Sequence, residues 1–260
     1  MTALSDRLDT AVRFATEAGE LALSMRPPAG AASATLKGAQ DWLTEADGAV
    51  ERLLSERVRQ SFPDDGFQGE EGGRTRSGSL TWVVDPIDGT ANFMRGGSRF
   101  CVSLACLEGD TPLVGVLVAP ALRETFAAHK AGGATLNGAP IHVAGTTDIA
   151  RATVELGWSR RRALDDFLAL TRRVVAAGAM PRLNGSGALG LADVAAGRTD
   201  AYAELHINLW DVAAGLVILS EAGATVSPFM QGDGPTKGNP ILACAPGIAV
   251  ALSQATGIAL

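Results

Sequence analysis

Leu80-Thr81-Trp82-Val83-Val84-Asp85-Pro86-Ile87-Asp88-Gly89-Thr90 is the stretch on which the reading of this chain turns. Its first five residues, mostly β-branched or aromatic, read as a buried strand that should stop at the Asp-Pro step, because proline cannot donate to a ladder. Asp85 and Asp88 follow at once. Burying two anions three residues apart costs several kcal/mol unless a positive partner sits between them, and a divalent cation is the simplest such partner. Asp-Pro and Asp-Gly are also ordinary turn formers, so in isolation the segment reads as a turn. The decision passes to the other carboxylates of the chain.

The 260 residues suit one large domain or two intimately packed ones, and with 47% apolar and 19% charged residues the chain is globular in composition. The reading is one unit over 1–260, with helices and a mainly antiparallel sheet in 1–145 and an α/β half in 146–260. A net charge of -6 argues against nucleic acid as the main partner and against an anionic membrane surface. No apolar run approaches the roughly 18 residues of a membrane span, and the amino terminus carries acidic residues where a signal peptide is apolar, so the expected location is the cytoplasm. Cys101, Cys106 and Cys244 form no C-x-x-C pair and read as core residues. His129, His142 and His206 are scattered, so a metal here should be hard and held by oxygen.

Leu4, Leu8, Val12, Ala15, Leu21, Ala22 and Met25 recur at helical spacing, and Val50, Leu53, Leu54 and Val58 mark a second helix. Pro27-Pro28 and the small-residue run through Ser33 end the first and lead to a loop or hairpin around Lys37-Gly38. Thr44 is placed to cap the second helix with Asp47 completing a capping box, which accounts for Asp47 without any chemistry. Pro63 to Gly66 is a turn, and Glu70-Glu71 ends a short extended segment, where a solvated loop is the ordinary expectation. Phe100 to Leu107 and Leu113 to Val118 read as a hairpin about Glu108-Gly109-Asp110; Thr125 to His129 and a tight Asn137-Gly138 turn continue the sheet.

Beyond Gly145 strands at Thr153 to Leu156, Met180 to Leu183, Ala201 to Glu204 and Ile241 to Ala245 alternate with helices at Leu164 to Ala177 and Leu189 to Ala196, an α/β pattern. Ser159-Arg160-Arg161-Arg162 reads first as a solvated loop or helix start, with a substrate-facing role open. Gly185-Ser186-Gly187-Ala188-Leu189-Gly190 matches G-x-G-x-x-G, but it lies deep in the chain beside Pro181 and outside a clean βαβ unit. A glycine turn opening a helix, with backbone N–H groups free for a ligand oxygen, fits better than a dinucleotide fingerprint. Asp211 is placed to cap a helix apolar nearly all round that stops at Gly223. Such a helix must be buried, which makes a carboxylate at its amino end costly.

Glu70, Asp85, Asp88 and Asp211 therefore sit at element ends in both halves of the chain and point to a shared cation site. With Gly69-Glu70-Glu71, Asp85-Pro86-Ile87-Asp88-Gly89-Thr90, Asn92-Phe93 and Trp210-Asp211-Val212-Ala213-Ala214-Gly215 in this order, the chain resembles the inositol monophosphatase family of magnesium-dependent, lithium-sensitive phosphatases. Leu43-Thr44-Glu45-Ala46-Asp47, Asn137-Gly138 and Asp200-Ala201-Tyr202-Ala203-Glu204 extend the likeness over essentially the whole chain. The resemblance implies a mixed α+β and α/β fold, a layered α-β-α-β-α sandwich of the inositol monophosphatase and fructose-1,6-bisphosphatase type, in a homodimer. It implies two or three Mg²⁺ per active site, one on Glu70, Asp85 and the Ile87 carbonyl, a second on Asp85, Asp88 and Asp211. It assigns Asp47, Thr90 and Glu70 to activation of the attacking water, and Asp88, Gly89, Thr90, Gly185, Ser186, Gly187, Glu204 and Asp211 to the substrate. The implied reaction is hydrolysis of a small phosphorylated polyol by direct attack of metal-activated water, without a phosphoenzyme.

Glu204 matches the family position that meets inositol hydroxyls and favours myo-inositol 1-phosphate. Relatives act on histidinol phosphate, 3'-phosphoadenosine 5'-phosphate or fructose 1,6-bisphosphate, and a regulatory or RNA-associated binding protein on the same fold is the non-enzymatic alternative. Gly187 stands where the family usually has alanine, and the lost methyl is expected to widen or loosen that edge of the site.

Overall fold

A computed structural model describes residues 3–27, 35–38 and 41–260. The first amphipathic pattern forms α1 (Leu4–Ser24), which buries Ala11, Phe14, Ala15, Ala18 and Ala22 along one stripe. Strands β1 (Thr35–Gly38) and β2 (Asp41–Leu43) pair antiparallel, the hairpin expected about Lys37-Gly38; the run from Pro28 to Ser33 lies outside the described residues. Helix α2 (Glu45–Ser61) opens on the expected capping box, the Thr44 and Asp47 side chains each bonding the other's backbone N–H.

Strands β3 (Gly66–Gly69), β4 (Gly73–Arg76) and β5 (Leu80–Asp88) precede the short helix α3 (Thr90–Met94). They are followed by β6 (Cys101–Glu108), β7 (Thr111–Ala119), β8 (Glu124–His129), β9 (Ala134–Leu136) and β10 (Ala139–Pro140). Together they make an eight-stranded sheet in the order β10-β9-β8-β7-β6-β5-β3-β4, antiparallel except where β3 runs parallel to β5. Asn137 and Gly138 both take positive φ, 50° and 80°, the tight turn that reverses β9 into β10.

One expectation fails here in an informative way: β5 does not stop at Asp85-Pro86 but runs on to Asp88. Asp85 lies opposite Ser103 and Asp88 opposite Cys101, so three steps along β5 match two along β6. The extra residue is a bulge, one of the few places inside a sheet where a proline without an N–H is tolerated.

The second half builds β11 (Thr153–Leu156), α4 (Leu164–Ala176), β12 (Met180–Arg182), α5 (Gly187–Ala195), β13 (Ala201–Ile207) and α6 (Leu209–Glu221), then β14 (Thr225–Val226), α7 (Gly234–Lys237), β15 (Asn239–Cys244) and α8 (Ala249–Thr256). Its five-stranded sheet has the order β12-β11-β13-β15-β14, with β11 parallel to both neighbours and β15 antiparallel to both of its own. Three apolar clusters separate five layers. The first joins α1 and α2 to one face of the large sheet, the second packs α5 and α6 between the sheets, and the third joins α4 and α8 to the far face of the smaller sheet. This is the α-β-α-β-α stack.

The middle layer explains the composition of its helices. Buried on two sides, α5 and α6 have no solvated face to fill with charge, and the small residues in them let backbones approach. A Cβ on Gly115 of β7 would meet the Ala214 carbonyl oxygen and Cα, so α6 lies directly on the sheet there. The three cysteines are buried and free, as expected of core residues. Among the described residues no helix is long and apolar enough to cross a membrane.

Candidate active site

The bulge in β5 is what assembles the site. Residues three apart on a regular strand face opposite sides of a sheet. Here the register shift places Asp85 and Asp88 opposite Ser103 and Cys101, which are two apart, and so on one face. Asp85 is 2% exposed and Asp88 9%. The Ile87 N–H donates to Asp85 Oδ1 at 2.9 Å, closing the kink that proline begins. From across the layer the Ser103 hydroxyl donates to the Trp210 carbonyl at 3.0 Å, drawing the start of α6 onto β6. Asp211, whose carboxylate accepts from the Asn208 N–H at 3.0 Å, thereby meets the two β5 aspartates. Ligand oxygens of Asp85, Asp88 and Asp211 all lie within 4.8 Å of one another.

No lysine or arginine is among the main influences on these three carboxyls. Burial pushes the Asp85 carboxyl well above the usual range, and Glu70, Asp211 and Asp88 push it further. Asp211 is raised to about 6, first by burial and then by Asp88. Burial also raises Asp88, but it is opposed by the Ser186 hydroxyl, which donates to Asp88 Oδ2, and by backbone N–H groups of 187–189, with Ala188 N at 2.9 Å. The N–H groups that open α5 are thus directed at a carboxylate, a correction to the expectation that they stand free for a ligand oxygen. Three crowded carboxylates offering only oxygen suit a hard divalent cation such as Mg²⁺.

Glu70 lies outside that group of three but close enough to Asp85 to raise it. It follows β3, and its N–H bonds the Val84 carbonyl at 3.0 Å. The loop that carries it is held from α2: Glu51, 8% exposed, accepts the N–H groups of Glu71 at 2.9 Å and Gly72 at 2.8 Å. A Cβ at Gly69 would collide with the Glu51 carboxylate, so the glycine beside Glu70 is a requirement of close approach. The sequence reading missed Glu51, although Asp47 and Glu51 are four apart and share a helix face.

Asp47 is 1% exposed, accepts from the Thr44 hydroxyl at 2.5 Å and the Thr44 N–H at 2.8 Å, and is raised to about 6 by burial despite those bonds. The Thr90 hydroxyl donates to the Ile87 carbonyl at 2.8 Å, so the structure does not join Thr90 to Asp47 by a hydrogen bond. Gly89, at φ 84°, caps α3 where a Cβ would press on the Arg99 carbonyl and on Ser186. Across the seam the Asn92 amide donates to the carbonyls of Arg99 and Asn184, both at 2.8 Å, fastening α3 to the turn at Gly185.

A cavity of about 470 Å³ opens above the carboxylates between Asp88, Asp211, Ser186, Gly187, Glu204 and Trp158. A neighbouring one of about 440 Å³ joins Glu70 and Asp211 to Arg160, Arg161 and His206, which places two members of the basic cluster beside the site. Glu204 is buried and raised to about 8, by burial first; the Tyr202 hydroxyl donates to its Oε2 at 2.6 Å. The room left by the missing methyl of Gly187 is filled: a Cβ there would stand 2.8 Å from Ile207 Cδ1 and 3.1 Å from the Tyr202 hydroxyl. Under the cavity Glu155, 1% exposed, accepts from the Asn184 amide at 2.8 Å and faces Arg99, whose other arm bonds Asp193 at 2.8 Å. No pattern in the sequence pointed to Arg99 or Glu155, because their partners lie on separate elements.

Residues 3–257 match the model of the inositol monophosphatase family. The chain belongs to that family. Within it, the chain is 36% identical over 230 residues to a Pseudomonas aeruginosa protein named Nus factor SuhB, with 85% of each covered. It is 37% identical over 195 residues to the fructose-1,6-bisphosphatase/inositol-1-monophosphatase of Thermotoga maritima, covering 74% of this chain and 73% of that one. Among solved structures, the extragenic suppressor protein suhB of Bartonella henselae superposes with a TM-score of 0.89 at 28% identity, over 96% of this chain and 98% of the other. The two kinds of name divide the relatives between phosphatases and Nus factors.

Proposed function

We propose that the protein is a Mg²⁺-dependent phosphomonoesterase that hydrolyses a small phosphorylated polyol, with myo-inositol 1-phosphate the preferred ester. The observation that carries this reading is the meeting of Asp85, Asp88 and Asp211 within 4.8 Å, with every main influence on Asp85 raising its pKa and none of them a cation. These three, with Glu70 and the Ile87 carbonyl at one side, would hold Mg²⁺, two or three ions per site. Bound there, Mg²⁺ would supply positive charge to the phosphate and to the departing alkoxide.

The protein's own groups do the rest. Asp47, held by Thr44 and raised to about 6, is a base for the water that attacks phosphorus. Thr90 and Glu70 orient that water. Gly89, Thr90, Gly185, Ser186 and Gly187 line the phosphate and the start of the alcohol, and Glu204 accepts from the alcohol's hydroxyls. The attack is in line, and no side chain becomes phosphorylated. Lithium should inhibit by competing for the cation site.

The test is phosphate release from myo-inositol 1-phosphate, histidinol phosphate, 3'-phosphoadenosine 5'-phosphate and fructose 1,6-bisphosphate, with Mg²⁺ and with excess chelator. Mg²⁺-dependent release, fastest from the inositol ester, is expected. Full turnover in chelator would overturn the metal assignment, and preference for another ester would move the substrate to that class.

The relatives named Nus factor SuhB support a second reading, a regulatory binding protein on this fold. The ligand set argues for catalysis, and the net charge of -6 argues against nucleic acid as the main partner. Release from none of the four esters would favour the second reading. We further propose a homodimer: Leu164, Leu168 and Val175 on α4 and Met180 on the edge strand β12 are all exposed, an apolar surface for a second copy. Light scattering on the purified chain tests this.

A further inference from the structure

Tyr202 is the chain's single tyrosine and is 2% exposed. A buried phenol needs a hydrogen-bond partner, and this one donates to Glu204 Oε2 at 2.6 Å. The two residues are two apart on β13 and share a face of the strand. Room for the ring and its hydroxyl comes from three glycines, two on α5 and one in the loop after β11. A Cβ at Gly157 would strike both the Tyr202 hydroxyl and the Glu204 carboxylate; at Gly190 it would stand 2.5 Å from Tyr202 Cδ2; at Gly187 it would stand 3.1 Å from the hydroxyl.

We propose that Tyr202 is a positioning residue for substrate selection: its hydroxyl holds one oxygen of Glu204 so that the other faces the cavity, and Gly157, Gly187 and Gly190 are the space this arrangement requires. The ligand class is the polyhydroxylated alcohol of the phosphate ester, so the inference rests on the phosphatase reading and adds to it a determinant of which alcohol is taken. The placement of Gly187 links both ends of the substrate. Its backbone N–H is among the groups that favour the Asp88 carboxylate, while its Cα faces Tyr202, so one turn of α5 sets the cation side and the alcohol side together. A carboxylate left to rotate would lose its fixed acceptor direction, whereas one pinned at Oε2 presents Oε1 alone.

The test compares kcat and KM for myo-inositol 1-phosphate with those for p-nitrophenyl phosphate, whose leaving group has no hydroxyl for Glu204. Tyr202→Phe should raise KM for the inositol ester and lower the ratio of kcat/KM between the two esters by up to about tenfold, the upper end of what one buried hydrogen bond contributes. Gly187→Ala should lower the same ratio by crowding the hydroxyl, and the double variant should lose no more than the stronger single one, because both act through one contact. An equal fall on both esters, or an unmoved ratio, would overturn the proposal and leave Tyr202 a packing residue.

A second readout needs no turnover. Tyrosine labelled with carbon-13 at Cζ gives one resonance from this chain, and in Mg²⁺ and inorganic phosphate it should shift on addition of myo-inositol and not of p-nitrophenol. Release of phosphate from neither ester would remove the phosphatase reading while the resonance still decided this one. A resonance indifferent to myo-inositol would overturn it.

Discussion

Replacing Asp85 by Asn should make the metal-free protein more stable and the enzyme inactive. Asp85 is buried and shares its neighbourhood with Asp88 and Asp211, whose oxygens lie within 4.8 Å. At an effective dielectric constant of about 20, two like charges at that distance repel by about 3 kcal/mol. Protonation caps the penalty: holding a carboxyl of ordinary pKa 3.8 neutral at pH 7 costs about 4 kcal/mol. An amide removes the charge while keeping the geometry, since its oxygen accepts the Ile87 N–H as Oδ1 does now. The gain in chelator should be about 2–4 kcal/mol, which for a chain of this size is roughly 4–7 °C in Tm. With Mg²⁺ in hundredfold excess over Kd the wild type should gain about 2.7 kcal/mol by mass action, and the variant little. Thermal unfolding of both proteins in EDTA and in Mg²⁺, followed by phosphate release, checks the crossing. A variant less stable than wild type in EDTA, and raised by Mg²⁺ as much as wild type, would refute the account of Asp85 as a buried, uncompensated ligand.

Three further outcomes follow from the same structure. Asp47, Asp211 and Glu204 have folded-state pKa values raised to about 6, 6 and 8, so between the unfolded values near 4 and those limits the folded chain holds more protons; metal-free stability should fall as pH rises from about 4 to 8, and Mg²⁺ should restore it most at the alkaline end, as denaturant titrations can show. Glu51→Ala removes the acceptor of the Glu71 and Gly72 N–H groups, costing about 1–3 kcal/mol of stability and weakening Mg²⁺ binding by isothermal titration; unchanged affinity would deny Glu51 its hold on the Glu70 loop. Gly115→Ala pushes a methyl into the Ala214 backbone and should cost about 1–3 kcal/mol in urea unfolding with a folded site, and neutrality there would mean α6 can move off β7.

Much of the site was legible because its chemistry is local in sequence. The Asp85 to Thr90 segment, the Thr44 to Asp47 capping box and the apolar helix behind Asp211 each carry their own signal, and the structure puts Asp85, Asp88 and Asp211 side by side. Glu51, Arg99, Glu155 and the filling of the Gly187 gap were not legible as a set, because each depends on which elements pack together, and periodicity reports a face without its partner.

By itself the sequence determined the alternation of helices and strands, the buried character of α6 and the identity of the charged groups, since propensity, periodicity and turn chemistry act over a few residues. Only the tertiary structure decided how Asp85 and Asp88 share a side. Three residues apart, they should face opposite ways on a regular strand. The bulge that turns them together exists because β6 supplies two residues where β5 spends three, and Ser103 of that same strand draws in Trp210 and Asp211 from more than a hundred residues away. A pairing partner sets such a register, and no local pattern in β5 contains it.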